Sequence, residues 1–280
     1  MPEPQATPNY PSHWAWRLYA PVAMVLGLGT LAVLCLAWTP FALVAQWVFP
    51  ANRTLRVGRM AIHRVFNIYT RFLTLFCGCR FDVKDVEALA AYPGSMVVVA
   101  NHPSLLDAVL ITSRLPNAVC IMKGSLVRNV LLGAGSRMAG YIVNDSALTV
   151  VRRGVDALKA SPTKLVIFPE GSRTRTPPVD TCQSTAGVIA ARAGVPVAVL
   201  TISMSSPYLG KQFPLLRPPQ LPLRVQIKQI DQRTIDKASA QRFGDDIAGI
   251  FAQALQQANS NEGTDSASTA VDEHTPTSVT

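Results

Sequence analysis

One stretch decides the fold of this chain: Ser95-Met96-Val97-Val98-Val99-Ala100, which continues as Asn101-His102-Pro103-Ser104-Leu105-Leu106-Asp107. The first part is an apolar run rich in β-branched residues and too short for a helix, so it predicts a buried strand of an α/β sheet. In such sheets ligands bind at the carboxyl ends of the strands. We therefore expect a functional site at His102, directly after this strand.

The histidine and the carboxylate of this stretch stand five residues apart. An imidazole can take a proton from an attacking hydroxyl near neutral pH, and a carboxylate on its other nitrogen orients the ring and stabilises the imidazolium. Both residues also have structural interpretations. Ser104 and Asp107 can open a helix as N-cap and first-turn acid, and His102 can be a buried structural histidine. For Asp107 taken alone, the two interpretations stay open.

Two further blocks follow apolar strands, Phe168-Pro169-Glu170-Gly171-Ser172-Arg173-Thr174 and Gly194-Val195-Pro196-Val197. In this order, and with the H-x-x-x-x-D spacing, the three blocks resemble the glycerolipid acyltransferase family, membrane enzymes that acylate glycerol phosphate and lysophospholipids. The resemblance covers roughly residues 96 to 203, and the combination is specific although each block alone is weak.

The resemblance implies roles for four more residues. Arg173 offers bidentate contact to the phosphate of the acceptor, and Gly171 allows close approach of the backbone. Glu170 and Gly171 would shape the acceptor site, and Lys123 matches a lysine that recurs in the family. The alternatives are a surface turn in which Glu170 and Arg173 only pair with each other, and a solvated cap for Lys123.

The chain departs from the family pattern at two places. Many relatives have isoleucine, aspartate and arginine where this chain has Asn144-Asp145-Ser146, so an arginine often assigned to phosphate binding is absent. Relatives carry a basic residue and a glycine shortly after the FPEG block, where this chain has Gln183-Ser184-Thr185. Both departures weaken the case for lysophosphatidic acid and fit a lysolipid with a different or less charged head group.

The net charge of +9 is held by the body of the chain, because the last 23 residues carry four acids and no Lys or Arg, which leaves +13 on the remainder. A basic body fits an anionic partner, and a membrane surface is favoured because no nucleic-acid-binding signature is present. The five cysteines are odd in number and lie in apolar surroundings, which indicates reduced thiols facing a cytosol.

The amino-terminal part predicts membrane association. Residues 1–17 form an interfacial lead-in that ends in tryptophans and arginine, and residues 18–76 form a helical anchor. No charge occurs from Leu18 to Asn52, and Val22 to Thr39 alone would extend roughly 27 Å as a helix. Pro21, Pro40 and Pro50 punctuate this run, so a crossing and a re-entrant helix both remain open.

A basic amphipathic helix follows, with five arginines that we expect on anionic headgroups at the cytoplasmic side: Arg53, Arg56, Arg59, Arg64 and Arg71.

Residues 77–257 form the predicted acyltransferase domain, an α/β fold with a largely parallel sheet flanked by helices. Its strands are expected at 81–84, 95–100, 118–122, 141–143, 164–168, 196–203 and 223–230. Its helices are expected at 104–114, up to 138, from 145 or 146 to 160, and at 238–257. The loop 205–222 could border the acyl channel, and the acidic tail 258–280 is expected to be disordered.

The sequence thus predicts an O-acyltransferase of the inner (cell) membrane, with its catalytic domain on the cytoplasmic face. It would move a fatty acyl group from acyl carrier protein or coenzyme A to a lysophospholipid hydroxyl, with 1-acylglycerol-3-phosphate as the default acceptor and phosphatidic acid as product. No metal or cofactor is required beyond the acyl thioester. The alternatives are an acyltransferase for another lysolipid, such as an ornithine-type lipid or one of a specialised fatty-acid pathway, a lipid hydrolase, and a lipid-binding protein.

Overall fold

The computed structural model describes residues 13–271, with side chains from 13 to 258. Its centre is a seven-stranded sheet in the order β1-β7-β6-β2-β5-β3-β4. The strands are β1 (Cys79–Asp82), β2 (Met96–Ala100), β3 (Ala118–Met122), β4 (Ile142–Val143), β5 (Lys164–Ile167), β6 (Pro196–Met204) and β7 (Leu223–Thr234). All neighbours are parallel except β6 and β7, which are antiparallel. The α/β fold with a largely parallel sheet is therefore confirmed.

Helices cover both faces of this sheet. They are α1 (Trp14–Val48), α2 (Ala51–Phe76), α3 (Lys84–Ala90), α4 (Leu106–Thr112), α5 (Gly124–Val127), α6 (Gly133–Met138), α7 (Ala147–Ala160), α8 (Thr185–Ala193) and α9 (Phe243–Val271). Val98 of β2 packs in one core with α2, α3 and α4, whereas Val97 and Val99 pack in the other with α7, α8 and α9. β2 is buried on both faces, which explains its unbroken apolar sequence.

The first helix is a 35-residue apolar rod that lies along the domain. Small residues between Ala20 and Ala45 bury one face against α2 and α6, and the other face is exposed. In the described part of the chain, α1 is the one helix long and apolar enough to cross a membrane. Of the three prolines expected to punctuate it, Pro21 and Pro40 lie inside the helix, and the break comes at Pro50.

One arginine of α2, Arg59, does not lie on the face where the amphipathic pattern placed it. It was expected on the headgroup side with the other four arginines, but its guanidinium is buried and donates to Ala139 O at 3.0 Å, Asn117 Oδ1 at 3.1 Å and Thr163 Oγ1 at 3.3 Å. A buried cation is tolerated where hydrogen bonds replace its water. Arg59 therefore joins α2 to the domain, whereas Arg53, Arg56, Arg64 and Arg71 are exposed.

Several element boundaries differ from the expected ones. The helix expected at 104–114 is shorter, Leu106–Thr112, and the helix expected up to residue 138 is divided into α5 and α6. The last helix begins later than expected, at Phe243, and continues to Val271, because helical hydrogen bonds are local and can extend past the last packed side chain. Residues 1–12 of the lead-in and 272–280 of the tail lie outside the described residues.

Candidate active site

The site forms where the carboxyl ends of three adjacent parallel strands meet. β5 lies between β2 and β3, so the residues that follow these strands are neighbours. His102 follows β2, the block from Phe168 to Thr174 follows β5, and Lys123 follows β3. The strand order thus brings together three segments that are far apart in the sequence.

His102 and Asp107 form the hydrogen-bonded pair at the centre of the site. His102 Nδ1 lies 2.8 Å from Asp107 Oδ2, and the Asp107 side chain is fully buried whereas that of His102 is 15% exposed. Because an ionised carboxylate only accepts, Nδ1 carries the proton of this bond. The other ring nitrogen, Nε2, is left to act on a substrate.

The same carboxylate also caps the following helix. Ser104 N–H donates to Asp107 Oδ2 at 2.8 Å, and Leu106 N–H donates to Ser104 Oγ at 3.2 Å. Asp107 thus makes the contacts that both interpretations require, although Leu105, not Ser104, occupies the N-cap position. Burial raises the pKa of the Asp107 carboxyl, while His102, Ser104 N–H and the charge of Arg173 oppose this rise.

Phe168 and Glu170 position the histidine from behind. The Phe168 ring stacks on the imidazole at a centroid distance of 4.0 Å and an angle of 17°. Glu170 Oε1 accepts from His102 N–H at 2.8 Å, and Oε2 accepts from Asp180 N–H at 2.9 Å. The carboxylate is buried, which raises its pKa, and it fixes the backbone at His102 and Asp180. Glu170 was expected to shape the acceptor site directly, but it does not line the cavity and lies behind its wall.

Gly171 has the backbone that its predicted role needs. Its φ is +65°, in the left-handed region that side chains with a Cβ rarely adopt, and it lines the cavity beside His102. A ligand can therefore approach the backbone closely at this turn.

Four cations gather at the polar end of the site. Arg173 donates from Nη1 to Leu209 O at 2.7 Å and Gly210 O at 2.9 Å, which fixes the loop that carries Lys211. Desolvation lowers the pKa of the Lys211 ammonium, and the nearby charges of Arg175, Lys123 and Arg173 lower it further. Arg173, Lys123 and Lys211 also line the cavity, and such a cluster favours an anionic group.

A cavity of about 600 Å³ extends from His102 toward the amino-terminal helices. Apolar side chains of α1, α2 and α4 line it, including Cys35, Trp38, Ile62, Phe66 and Val109. His102 and the three cations named above line the same cavity. The cavity thus has the size and the mixed apolar and cationic lining of a lipid site.

Both departures from the family pattern lie on this cavity. Asn144, Asp145 and Ser146 line it, and so do Gln183 and Thr185. Ser146 and Gln183, which stand at the family's basic positions, thus line the same cavity as His102.

Sequence reasoning missed three residues of the site. Asn101 donates from Nδ2 to Ile202 O at 3.0 Å and accepts from Ile202 N–H at 2.7 Å, which fixes the residue before His102 to β6. Phe168 begins the block that ends at Thr174, but no role was predicted for it from the sequence. Lys211 lies on a loop where no local sequence pattern indicates a site residue. A polar residue directly after a buried strand was the available clue for Asn101.

Two comparisons with known proteins concern the family of the domain and its fold. Residues 80–205 match the family model described as Acyltransferase. The crystal structure of PlsC, the 1-acyl-sn-glycerophosphate (LPA) acyltransferase of Thermotoga maritima, has a similar fold, with a TM-score of 0.59 over 86% of this chain and 98% of that chain. The sequence identity is 17%, so this likeness concerns the fold alone. Residues 80–205 thus form an acyltransferase domain, and the chain is an acyltransferase enzyme.

Proposed function

We propose that this enzyme is a membrane-attached O-acyltransferase that transfers a fatty acyl group from acyl carrier protein or coenzyme A to the hydroxyl of a lysophospholipid. The observation that carries the proposal is that His102, apolar side chains of three helices and three cations line one cavity. An acyl chain fits the apolar part, and a phosphate fits the cations, so the imidazole stands where thioester and hydroxyl would meet.

The reaction needs one base and no acyl-enzyme, because a thioester is already activated. His102 Nε2 takes the proton of the acceptor hydroxyl as its oxygen attacks the thioester carbonyl, and the imidazolium is stabilised by Asp107. Collapse of the tetrahedral intermediate breaks the carbon–sulfur bond, forms the ester and gives the proton to the leaving thiolate. Phe168 and Glu170 keep the ring and its backbone in place.

For the acceptor, 1-acylglycerol-3-phosphate is the first candidate. Its phosphate would contact Arg173, Lys123 and Lys211, which line the polar end of the cavity. The uncharged Ser146 and Gln183 line the same cavity and favour a second candidate, a lysolipid with a different head group such as an ornithine-type lipid.

The packing of α1 supports attachment along the membrane surface, and the exposed arginines of α2 favour the cytoplasmic side. From Ala20 to Ala45 one face of α1 packs on its own domain, and the opposite face exposes large apolar side chains such as Leu18, Val25 and Val33. A helix packed in this way along its length would draw the domain into the hydrocarbon if it crossed the bilayer. If the outer face of α1 lies in the interfacial layer instead, the polar surface of the domain stays in water.

The test is thiol release from a long-chain acyl thioester by the full chain in detergent, with a panel of lysolipids. We expect acceptor-dependent release that His102→Ala abolishes and that Arg173→Ala weakens through a higher KM for phosphate-bearing acceptors. The controls are His13→Ala and Arg192→Ala, two exposed residues outside the cavity.

Each alternative has its own result. A hydrolase would release thiol and free fatty acid without an acceptor, and a lipid-binding protein would bind the thioester without consuming it. Acceptor-dependent release that survives His102→Ala would refute the proposed base.

A further inference from the structure

Three segments of the catalytic domain, two loops and the first turn of α7, expose large apolar side chains to solvent. Val130 between α5 and α6 is 71% exposed, Leu148 at the start of α7 is 76% exposed, and Leu215 and Leu216 in the loop after β6 are 54% and 67% exposed. Single exposed apolar residues are ordinary on protein surfaces. A group of them around one feature of the molecule calls for a physical explanation.

The feature that these residues share is the cavity of the active site. Val130 directly precedes Leu131, and Leu148 directly follows Ala147, and both of these neighbours line the cavity. We name the segments around Val130, Leu148 and Leu215–Leu216 the mouth loops.

The third mouth loop is tied to the catalytic residues by hydrogen bonds. Leu105 N–H, beside the His102–Asp107 pair, donates to Leu209 O at 3.2 Å, and Arg173 donates to the same carbonyl at 2.7 Å. Lys211 of this loop lines the cavity, and a turn closed by Arg217 N–H to Pro214 O at 3.0 Å presents the two leucines.

Every mouth loop pairs its apolar side chain with an exposed arginine. Arg128 stands two residues before Val130, and Arg217 follows Leu216 and lies over the Phe213 ring at 4.7 Å. On α7, Leu148 and Arg152 are four residues apart and so share one helix face. Apolar tips flanked by arginines suit the headgroup layer of an anionic bilayer, where the tip enters the acyl region and the cation meets phosphate.

We propose that the mouth loops are a second membrane contact, distinct from α1, which places the opening of the active-site cavity against the surface of an anionic bilayer. The proposal rests on the lipid acyltransferase function above and adds a surface to it. The α1 helix points to a bilayer as the occupant, because its residues Cys35 and Trp38 line this same cavity while its outer face is apolar and exposed. A lipid acceptor could then enter the site without passing through water.

The test places an environment-sensitive dye such as NBD on Val130→Cys, Leu148→Cys or Leu216→Cys in the full chain. Labelling is selective because all five native cysteines are buried. The matched control is Lys159→Cys, exposed in the last turn of α7 and about 16 Å along that helix from Leu148. Vesicles of phosphatidylcholine with phosphatidylglycerol are added, with and without quenchers on their acyl chains.

We expect a blue shift and quenching at the three mouth-loop positions and neither at position 159. The response should weaken with phosphatidylcholine alone. If the enzyme sediments with the vesicles but the mouth-loop dyes behave like the control, the proposal is wrong. It is also wrong if an acidic carrier protein changes the dyes and vesicles do not, since the surface would then dock the protein donor.

An activity measurement separates this surface from the catalytic function. The variant with Leu215→Ser and Leu216→Ser should lose roughly tenfold in turnover of an acceptor embedded in vesicles. It should keep the wild-type rate with a short-chain, water-soluble lysolipid. Equal rates on both substrates would overturn the proposal, whereas absence of any acyl transfer in the wild type would refute the proposed function and leave the dye result to stand.

Discussion

Replacing Asp107 by asparagine tests whether this carboxylate acts in catalysis or only caps a helix. In the wild type, Oδ2 accepts from both His102 Nδ1 and Ser104 N–H at 2.8 Å. Because Ser104 N–H only donates, the asparagine oxygen should take this position, and the imidazole keeps its tautomer. The variant therefore removes the negative charge while the hydrogen-bond geometry is retained.

The magnitude follows from the distance between the charges. With 2.8 Å between the bonded atoms, the charge centres of imidazolium and carboxylate are about 4 Å apart, which gives about 4 kcal/mol at an effective dielectric constant of about 20. This interaction exists only when His102 carries the transferred proton, so its loss raises the barrier. We expect kcat to fall roughly a thousandfold.

The assay is thiol release at saturating acceptor, with Asp156→Asn, an exposed residue of α7, as the control. If Asp107→Asn keeps kcat within about tenfold of the wild type, the carboxylate is a helix cap and the mechanism is refuted. A loss of kcat with an unchanged circular dichroism spectrum supports the orienting and charge-stabilising role.

The free energy of unfolding supplies a second measurement. Burial raises the pKa of Asp107 in the folded state above its ordinary value of 3.8, so the folded protein holds this proton to higher pH than the unfolded chain does. The contribution of Asp107 to stability is therefore complete below 3.8 and is lost as the pH rises through the raised pKa. Asparagine does not titrate, so the stability of Asp107→Asn relative to the wild type should increase over this acidic interval. A difference that stays constant with pH would contradict the raised pKa.

Three further predictions concern packing, backbone and thiols. Arg59→Met should lower the free energy of unfolding by about 3 kcal/mol, because it leaves buried acceptors of the domain without a hydrogen-bond donor. The control Arg56→Met, on the exposed face of α2, should change it by less than about 0.5 kcal/mol, and equal effects in urea titrations would argue against the anchoring role of Arg59. Gly171→Ala and Gly194→Ala should each lower the free energy of unfolding by about 1 kcal/mol, because both glycines have positive φ. Only Gly171→Ala, which lies on the cavity, should reduce kcat/KM, by roughly tenfold; a similar loss of kcat/KM for both would show that backbone strain alone causes it. Native enzyme should not react with a thiol reagent at pH 8 until it is unfolded, because burial raises the pKa of all five thiols, that of Cys79, Cys120 and Cys182 to about 12 and also that of Cys35 and Cys77. Prompt reaction of any one thiol in the native enzyme would contradict its burial.

Local features of the chain were predictable because their cause is local. β3 has the expected bounds, and β2 and β5 differ by one residue at one end, since short apolar runs bounded by turns specify buried strands. The His102–Asp107 pair was predictable for the same reason, because five residues across one turn bring the two side chains together. The amphipathic pattern predicted α2, but it could not tell that Arg59 faces the domain, because an arginine on a buried face looks the same in a helical pattern as one in water.

The amino-acid sequence by itself determined the α/β class, the apolar first helix and the position of His102 directly after β2. These depend on hydrophobic periodicity and on contacts within a few residues. Only the tertiary structure decided that β5 lies between β2 and β3, that Glu170 holds His102 across 68 positions, and that Lys211 joins the cations of the cavity. Such contacts depend on the order in which strands pair and on where a long loop returns, and these are properties of the packed whole that no local spacing records.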